Sequence, residues 1–302
     1  MKYLITGGSG LLGKKLCKLL LKEGHKVAVL SRSKREDADI EYYQWDIGKG
    51  KIEAEALKNV DCLIHLAGAG IADEKWTDER KREIIDSRVK PLELLSKKFK
   101  EQGYFPETIV SASAVGIYGF DTGEMELTEE SEKGQDYISE VVIKWEGAVN
   151  DFANATKSRA VKLRIGIVLD KDGGALPQLA LPVKLGVGSA LGDGEQWLSW
   201  IHTDDLCQLF YQSSMDASFQ GAFNAVAPKP VKNKEMVTVL GKVLKRPIWA
   251  PKVPGFVLKL ILGDRAQLVL GGNKVSASKI ESTGFLFKFP NLEQALTEIY
   301  KS

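Results

Sequence analysis

Gly7, Gly10 and Gly13 form a G-x-x-G-x-x-G string directly after a short β-like run at residues 2–6, and leucines at 16, 19 and 20 then recur at helical spacing. That order is strand, tight loop, helix. Missing side chains permit the turn, the close approach of a phosphate and close packing of helix on strand. Unpaired amides and the positive end of the helix dipole make the helix start favourable for a pyrophosphate. The loop Gly7, Gly8, Ser9, Gly10, Leu11, Leu12 and Gly13 is therefore a candidate dinucleotide site. Glycine loops also serve plain turns, but this one lies within a complete βαβ unit: Gly24 closes the helix and residues 25–30 (HKVAVL) supply the next β-rich run. An NAD-preferring site would place an acid after that second run, against the adenosine ribose. Here stand Ser31, Arg32 and Ser33, and a guanidinium can fork onto a 2′-phosphate that a carboxylate would repel, so the expected cofactor is NADP. The alternative for Arg32 is an ordinary solvated cation in a basic loop with Lys34 and Arg35.

Further β-rich runs at residues 42–45, 62–66, 108–112 and 160–168 alternate with helical stretches at 53–59, 78–100 and 136–153. This alternation predicts an α/β fold, a Rossmann doubly wound parallel sheet over residues 1–170 with a further strand near 221–226. Beyond residue 170 the texture changes. Glycine and proline become dense, prolines punctuate positions 228, 230, 247, 251 and 254, and helical leucines return near 256–270 and 292–299. Residues 171–302 are expected to form a smaller α-rich C-terminal substrate lobe, with a cleft between the lobes. The 302 residues carry 42 basic and 40 acidic side chains, a formal charge of +2, which suggests neither a nucleic acid partner nor a membrane surface. No apolar run approaches the ~20 residues of a membrane span. The expectation is a cytoplasmic protein with a small-molecule substrate. Cys17, Cys62 and Cys207 are far apart in apolar contexts, which favours reduced thiols, and no spacing of His, Cys, Asp and Glu indicates a metal.

The runs TGGSGLLG, SR, HLAGAGI, SASAVGIYG, KWEGAV, LRIGIVL and WLSWIHTDDL resemble the atypical extended short-chain dehydrogenase/reductase group described as nucleoside-diphosphate-sugar-epimerase-like, once known in bacteria as cell-division-inhibitor homologues. The resemblance spans nearly the whole chain, and residues from GAFNAVAPKPV to NLEQAL resemble the small C-terminal domain that marks this group. It implies that Asp46 and Ile47 sit against the adenine and that Leu66, Ala67 and Gly68 turn beneath the cofactor. In the competing reading Asp46 is a strand-end cap. Glu83 and Arg88 lie on a helix that in this group faces the cofactor, where related sugar epimerases have an Asn near Arg88. Arg88 could bind a phosphate, or the pair could form a surface network of small value. Ser111, in SASAVGIYG, joins the cofactor set. Arg164 lies in an apolar run and needs a partner, for which a cofactor or substrate anion is expected.

The superfamily's usual chemistry uses a Ser or Thr after the strand at 108–112 and a Tyr-x-x-x-Lys pair on the next helix, the lysine lowering the phenol's pKa for proton exchange. Ser113 matches the first element, but Tyr137 is followed four residues later by Val141. Lys144, seven residues on, shares the helix face only at a distance of two turns. Ser113, Tyr137 and Lys144 are the candidate catalytic set; Tyr137 as a plain amphipathic residue, Lys144 as a solvated cation and Tyr118 as a substitute phenol are the alternatives. His202, Asp204 and Asp205 are expected to be mainly structural. The reading is an NADP-dependent oxidoreductase or epimerase-like protein acting on a small, phosphorylated or nucleotide-linked molecule. The competing one is an NADP-binding regulatory or scaffold protein without hydride transfer.

Overall fold

A computed structural model describes residues 1–301. The first βαβ unit comprises β1 (Lys2–Thr6), α1 (Leu11–Lys22) and β2 (Lys26–Ser31), followed by β3 (Ile40–Asp46), the two-residue β4 (Lys51–Ile52), β5 (Cys62–His65) and the long α2 (Asp78–Gln102). Next come β6 (Thr108–Ala114), β7 (Glu126–Leu127), α3 (Tyr137–Thr156), β8 (Arg159–Ile165) and β9 (Ile167–Leu169). One sheet of eight strands runs β12-β8-β6-β5-β1-β2-β3-β4, with β12 at Gly221–Ala225; only the β3–β4 pair is antiparallel. α2 packs with α3 and α1 with α5 (Thr203–Met215), so helices cover both faces. That double cover explains why β5 and the last four residues of β1 are buried without alternation. The fold is a Rossmann-like α/β doubly wound sheet.

The rest of the chain is helical with short strands. It contains α4 (Ala175–Lys184), β10 (Trp197–Leu198), β11 (Trp200–His202), β13 (Val231–Lys232), α6 (Asn233–Val243), α7 (Gly255–Leu262), α8 (Gln267–Leu270), β14 (Lys274–Val275), α9 (Ser278–Ser282) and α10 (Leu292–Ile299). Trp200, Met236, Leu240 and Leu296 form a second core. The WLSWIHTDDL segment ties it to the sheet. His202 Nδ1 accepts from the Asp204 amide at 3.1 Å, and the Asp205 carboxylate accepts from the amides of Lys288 and Phe289 at 2.8 and 3.0 Å. Those bonds fit the structural reading of the three residues.

Two elements differ from expectation. The helix over 53–59 is only a single 3-10 turn at Ala54–Leu57, and Asn59, with a left-handed φ of 54°, ends any helical continuation. The single strand over 160–168 is broken at Gly166, where a Cβ would run into the Ser199 carbonyl. The chain leaves the sheet there, and β9 pairs with β11 instead. Among the described residues no helix is long and apolar enough to cross a membrane.

Candidate functional site

The three loop glycines have different reasons. Gly7 has φ 73°, and a Cβ on it would lie 2.8 Å from the Leu66 carbonyl oxygen; a Cβ on Gly13 would overlap the Gly7 carbonyl. Both serve the fold itself, through the close approach of β1, α1 and the turn after β5. Gly10 differs: its φ is −74°, and a Cβ there would meet only the Gly7 carbonyl oxygen, at 3.3 Å. No side chain caps α1, no acid lies in its first turn, and the first backbone bond into the helix is Lys14 N–H to Gly10 O at 3.0 Å. The amides of Leu11, Leu12 and Gly13 thus precede the helical ladder and are available to an anion. The residues fit a pyrophosphate.

The turn after β5 is held by a chain of polar contacts. Thr6 Oγ1 accepts from the amides of Leu66 and Ala67, both at 3.2 Å, so its own proton goes to His65 Nδ1 at 2.8 Å. That leaves His65 Nε2–H to donate to the Arg88 carbonyl at 3.2 Å, which settles the tautomer by proton inventory. Burial pulls the fully buried imidazole down to about 4. The unfolded chain takes up this proton below about pH 6.5 while the folded one does not, so stability present above pH 6.5 is lost as the pH falls toward 4, by about 3 kcal/mol from this group. Urea unfolding across that range should show His65→Gln with a flatter pH dependence than the parent. Equal slopes would exclude the role.

Several expected cofactor residues have other bonds. Ser31 Oγ accepts from the Ser33 amide at 3.3 Å, whereas Arg32 is exposed and has no carboxylate within 4 Å among the described residues. Asp46 Oδ1 accepts from the Lys49 amide at 3.0 Å, closing the turn before β4, with Ile47 beside it. Glu83 pairs with Arg80 at 2.7 Å. Ser111 is buried and donates to the Ala112 carbonyl at 2.8 Å.

A cleft of about 330 Å3 opens at the carboxyl ends of β6 and β8. It contains Ala114 from the end of β6; Ile138, Val141, Val142 and Trp145 from α3; Arg88 from α2; and Trp197, Gln267 and Gly271 from the C-terminal part. The proposed catalytic set is not brought together here. One residue along a helix is a rotation of about 100°, which separates Tyr137 from Ile138. Tyr137 turns toward α2, where its hydroxyl donates to the Lys81 carbonyl at 3.3 Å and its ring meets Trp76 edge-on at 5.2 Å. Burial pushes its phenol above the ordinary tyrosine value, the wrong direction for a neutral-pH acid/base. Lys144 is half exposed and paired with Glu140 at 2.6 Å. Ser113 is buried behind the cleft wall, donating to Glu146 at 2.7 Å. α3 presents two i, i+4 pairs to the cleft, Ile138 with Val142 and Val141 with Trp145, and the strand-end residue is Ala114.

Arg164 does have the partner its position demands, but that partner is internal. It makes a forked pair with Glu146, Nε to Oε1 at 2.9 Å and a terminal nitrogen to Oε2 at 3.1 Å, and also donates to Tyr118 Oη and the Glu129 carbonyl, both at 3.0 Å. Tyr118 passes its proton to Asn224 Oδ1 at 2.7 Å, so it is no free phenol. Burial raises the Glu146 carboxyl, but the Arg164 guanidinium and the Ser113 hydroxyl outweigh it and hold the group below its ordinary value. Sequence reasoning missed Glu146, although an acid on the apolar face of α3 opposite a buried arginine was a usable signal.

A doubly wound parallel sheet, a glycine loop at its first strand-to-helix junction and a cleft over the strand ends define a Rossmann protein of epimerase/dehydrogenase build. The chain belongs to the NAD dependent epimerase/dehydratase family, whose model matches residues 3–216; a second model, the domain of unknown function DUF1731, matches residues 253–299. The resemblance read from the sequence is thereby borne out. The Arabidopsis thaliana epimerase family protein SDR39U1 homolog, chloroplastic, is 38% identical over 99% of this chain and 86% of its own. The Bacillus subtilis epimerase family protein YfhF is 34% identical over 99% and 98%. The crystal structure of human epimerase family protein SDR39U1 (isoform2) with NADPH matches 99% of both chains at 31% identity, with a TM-score of 0.88.

Proposed function

We propose that this protein is an NADP(H)-dependent oxidoreductase or epimerase-like protein acting on a small molecule held in the 330 Å3 cleft. The observation that carries this reading is the glycine loop, in which Gly10 leaves open the space beside three amides that have no helical partner. Residues Gly7 to Gly13 hold the pyrophosphate, and Arg32 the 2′-phosphate. Ile47 and Asp46 lie at the adenine, and Leu66, Ala67 and Gly68 pass beneath the cofactor. NADPH in the human relative supports the phosphorylated form. When bound, the nicotinamide supplies hydride chemistry. The cleft offers no phenol or amine, so proton exchange falls to water or to the substrate itself.

Titration of both cofactors tests the assignment. Arg32→Ala should weaken NADP by about 1.5–3 kcal/mol, the value of a charge-assisted contact, and leave NAD unchanged; equal loss for both removes Arg32 from the site. A second reading, a cofactor-binding regulatory or scaffold protein, draws on Val141 at the position of the usual lysine and on a cleft wall of Ala114, Ile138, Val141 and Val142 that carries no hydroxyl, phenol or amine. Consumption of bound NADPH on addition of a metabolite extract supports the enzyme. In that assay Tyr137→Phe should leave turnover unchanged, and a loss of turnover would return the phenol to the mechanism. The nearly balanced charge supports a small-molecule partner rather than nucleic acid or a membrane surface.

A further inference from the structure

Arg88 is the only ionisable side chain among the described residues lining the cleft. Among the described residues it has no carboxylate within 4 Å, in contrast to the buried Arg80 and Arg164, each of which has acidic partners. One of its N–H groups is taken up by the Ile84 carbonyl of its own helix at 2.8 Å. The guanidinium is also fixed in place: its carbon lies 5.1 Å over the Trp145 ring, it rests against Gly68, where a Cβ would be 3.1 Å from it, and its backbone carbonyl is held by His65. Burial lowers its pKa to about 10, so it stays cationic at neutral pH. A cation partly withdrawn from water without a counter-charge is costly, and the remaining N–H groups of its fork match a carboxylate.

The rest of the wall restricts what can bring that charge. Trp145, Trp197 and Phe120 contribute aromatic surface, and Gly271 and Gly272 contribute backbone without side chains. Of the polar side chains, Ser199 and Asn273 are occupied internally, Ser199 donating to the Asn273 carbonyl at 2.8 Å and Asn273 donating to the Gly119 carbonyl at 2.8 Å, which leaves the Gln267 amide, in addition to Arg88, as the polar group of the wall. A nucleotide-linked sugar would bring two phosphates and a ring of hydroxyls to a cleft with one cation, at the small end of the ~300–1,000 Å3 of ligand sites. From this geometry we infer that the cleft binds a small planar organic anion, an aromatic or conjugated carboxylate, with Arg88 forked onto the carboxylate and the flat apolar body against the aromatic and aliphatic wall. The assignment rests on the reading of this cleft as the substrate site and gives it a substrate class.

The test uses 2-naphthoate and its neutral isostere 2-naphthamide, titrated into the full-length protein with and without NADPH and followed by calorimetry. The parent should bind the acid at least tenfold more tightly than the amide. R88Q should bring that ratio near unity while NADPH affinity stays within twofold, and R88K should be intermediate because a point charge cannot fork. A parent ratio near unity, an R88Q ratio equal to the parent's, or a tenfold loss of NADPH affinity in R88Q with the ratio intact overturns the assignment. If R88Q does not fold by circular dichroism, R88K decides: a ratio unchanged from the parent's counts against Arg88. Failure of the parent to take up NADPH defeats the cofactor reading alone, because the ratio measured without nucleotide still judges Arg88.

Discussion

Gly10→Val is expected to weaken NADP(H) binding by roughly 100-fold or more, about 3 kcal/mol, while the protein stays folded. A Cβ at Gly10 meets only one backbone oxygen, at 3.3 Å, so the cost to the apo-protein is an N-cap preference of about 1 kcal/mol and a small shift. The branched side chain instead fills the space beside the amides of Leu11, Leu12 and Gly13, where the pyrophosphate would lie. Gly13→Val provides the contrast. Its Cβ would overlap the Gly7 carbonyl and the Gly8 backbone, so it should unfold or severely destabilise the chain. Calorimetric titration paired with circular dichroism separates the two effects, and retained affinity in Gly10→Val would make the loop a plain turn.

Glu146→Leu should cost about 3–5 kcal/mol of stability, because it strands the buried Arg164 guanidinium and removes the acceptor of the Ser113 hydroxyl. Removing both charges should be far less harmful than removing one. The double variant Glu146→Leu with Arg164→Met is expected to recover much of the loss in urea unfolding, since the desolvation cost of both ions disappears with them. A loss below about 1 kcal/mol in the single variant would contradict a closed internal pair, as would a double variant no better than the single. The same measurement bears on the cleft. If cofactor affinity survives in the double variant, Arg164 has no part in holding the anion.

The glycine loop, the basic turn at Arg32 and the alternation of strands and helices were legible because each is a local pattern: a period, a missing side chain, a charge at a strand end. Individual contacts of the site were less so. Arg164 was recognisable as an arginine that needed a partner, but the partner, Glu146, lies 18 residues away and reaches it only because α3 packs across β8. Arg80, with three acidic neighbours, and Arg88, with none, stand eight residues apart on one helix, and no property of their immediate sequence separates them. Tyr137 and Ile138 are adjacent, yet a single helical step places one against α2 and the other in the cleft.

The sequence by itself determined the first βαβ unit, the glycine loop and the class of fold, since these follow from hydrophobic period and from residue types that only certain backbone conformations accept, while the family was legible only through the resemblance of its longer motifs. Tertiary structure alone decided which side chains enter the cleft. The rotation of α3 against the sheet is set by the packing of Val149 and Phe152 into the core, and that rotation turns Ile138 and Val142 inward and Tyr137 and Lys144 away. Burial then distinguished the charges: an arginine facing an acid became part of the core, and one facing an apolar cleft remained open to a ligand's anion.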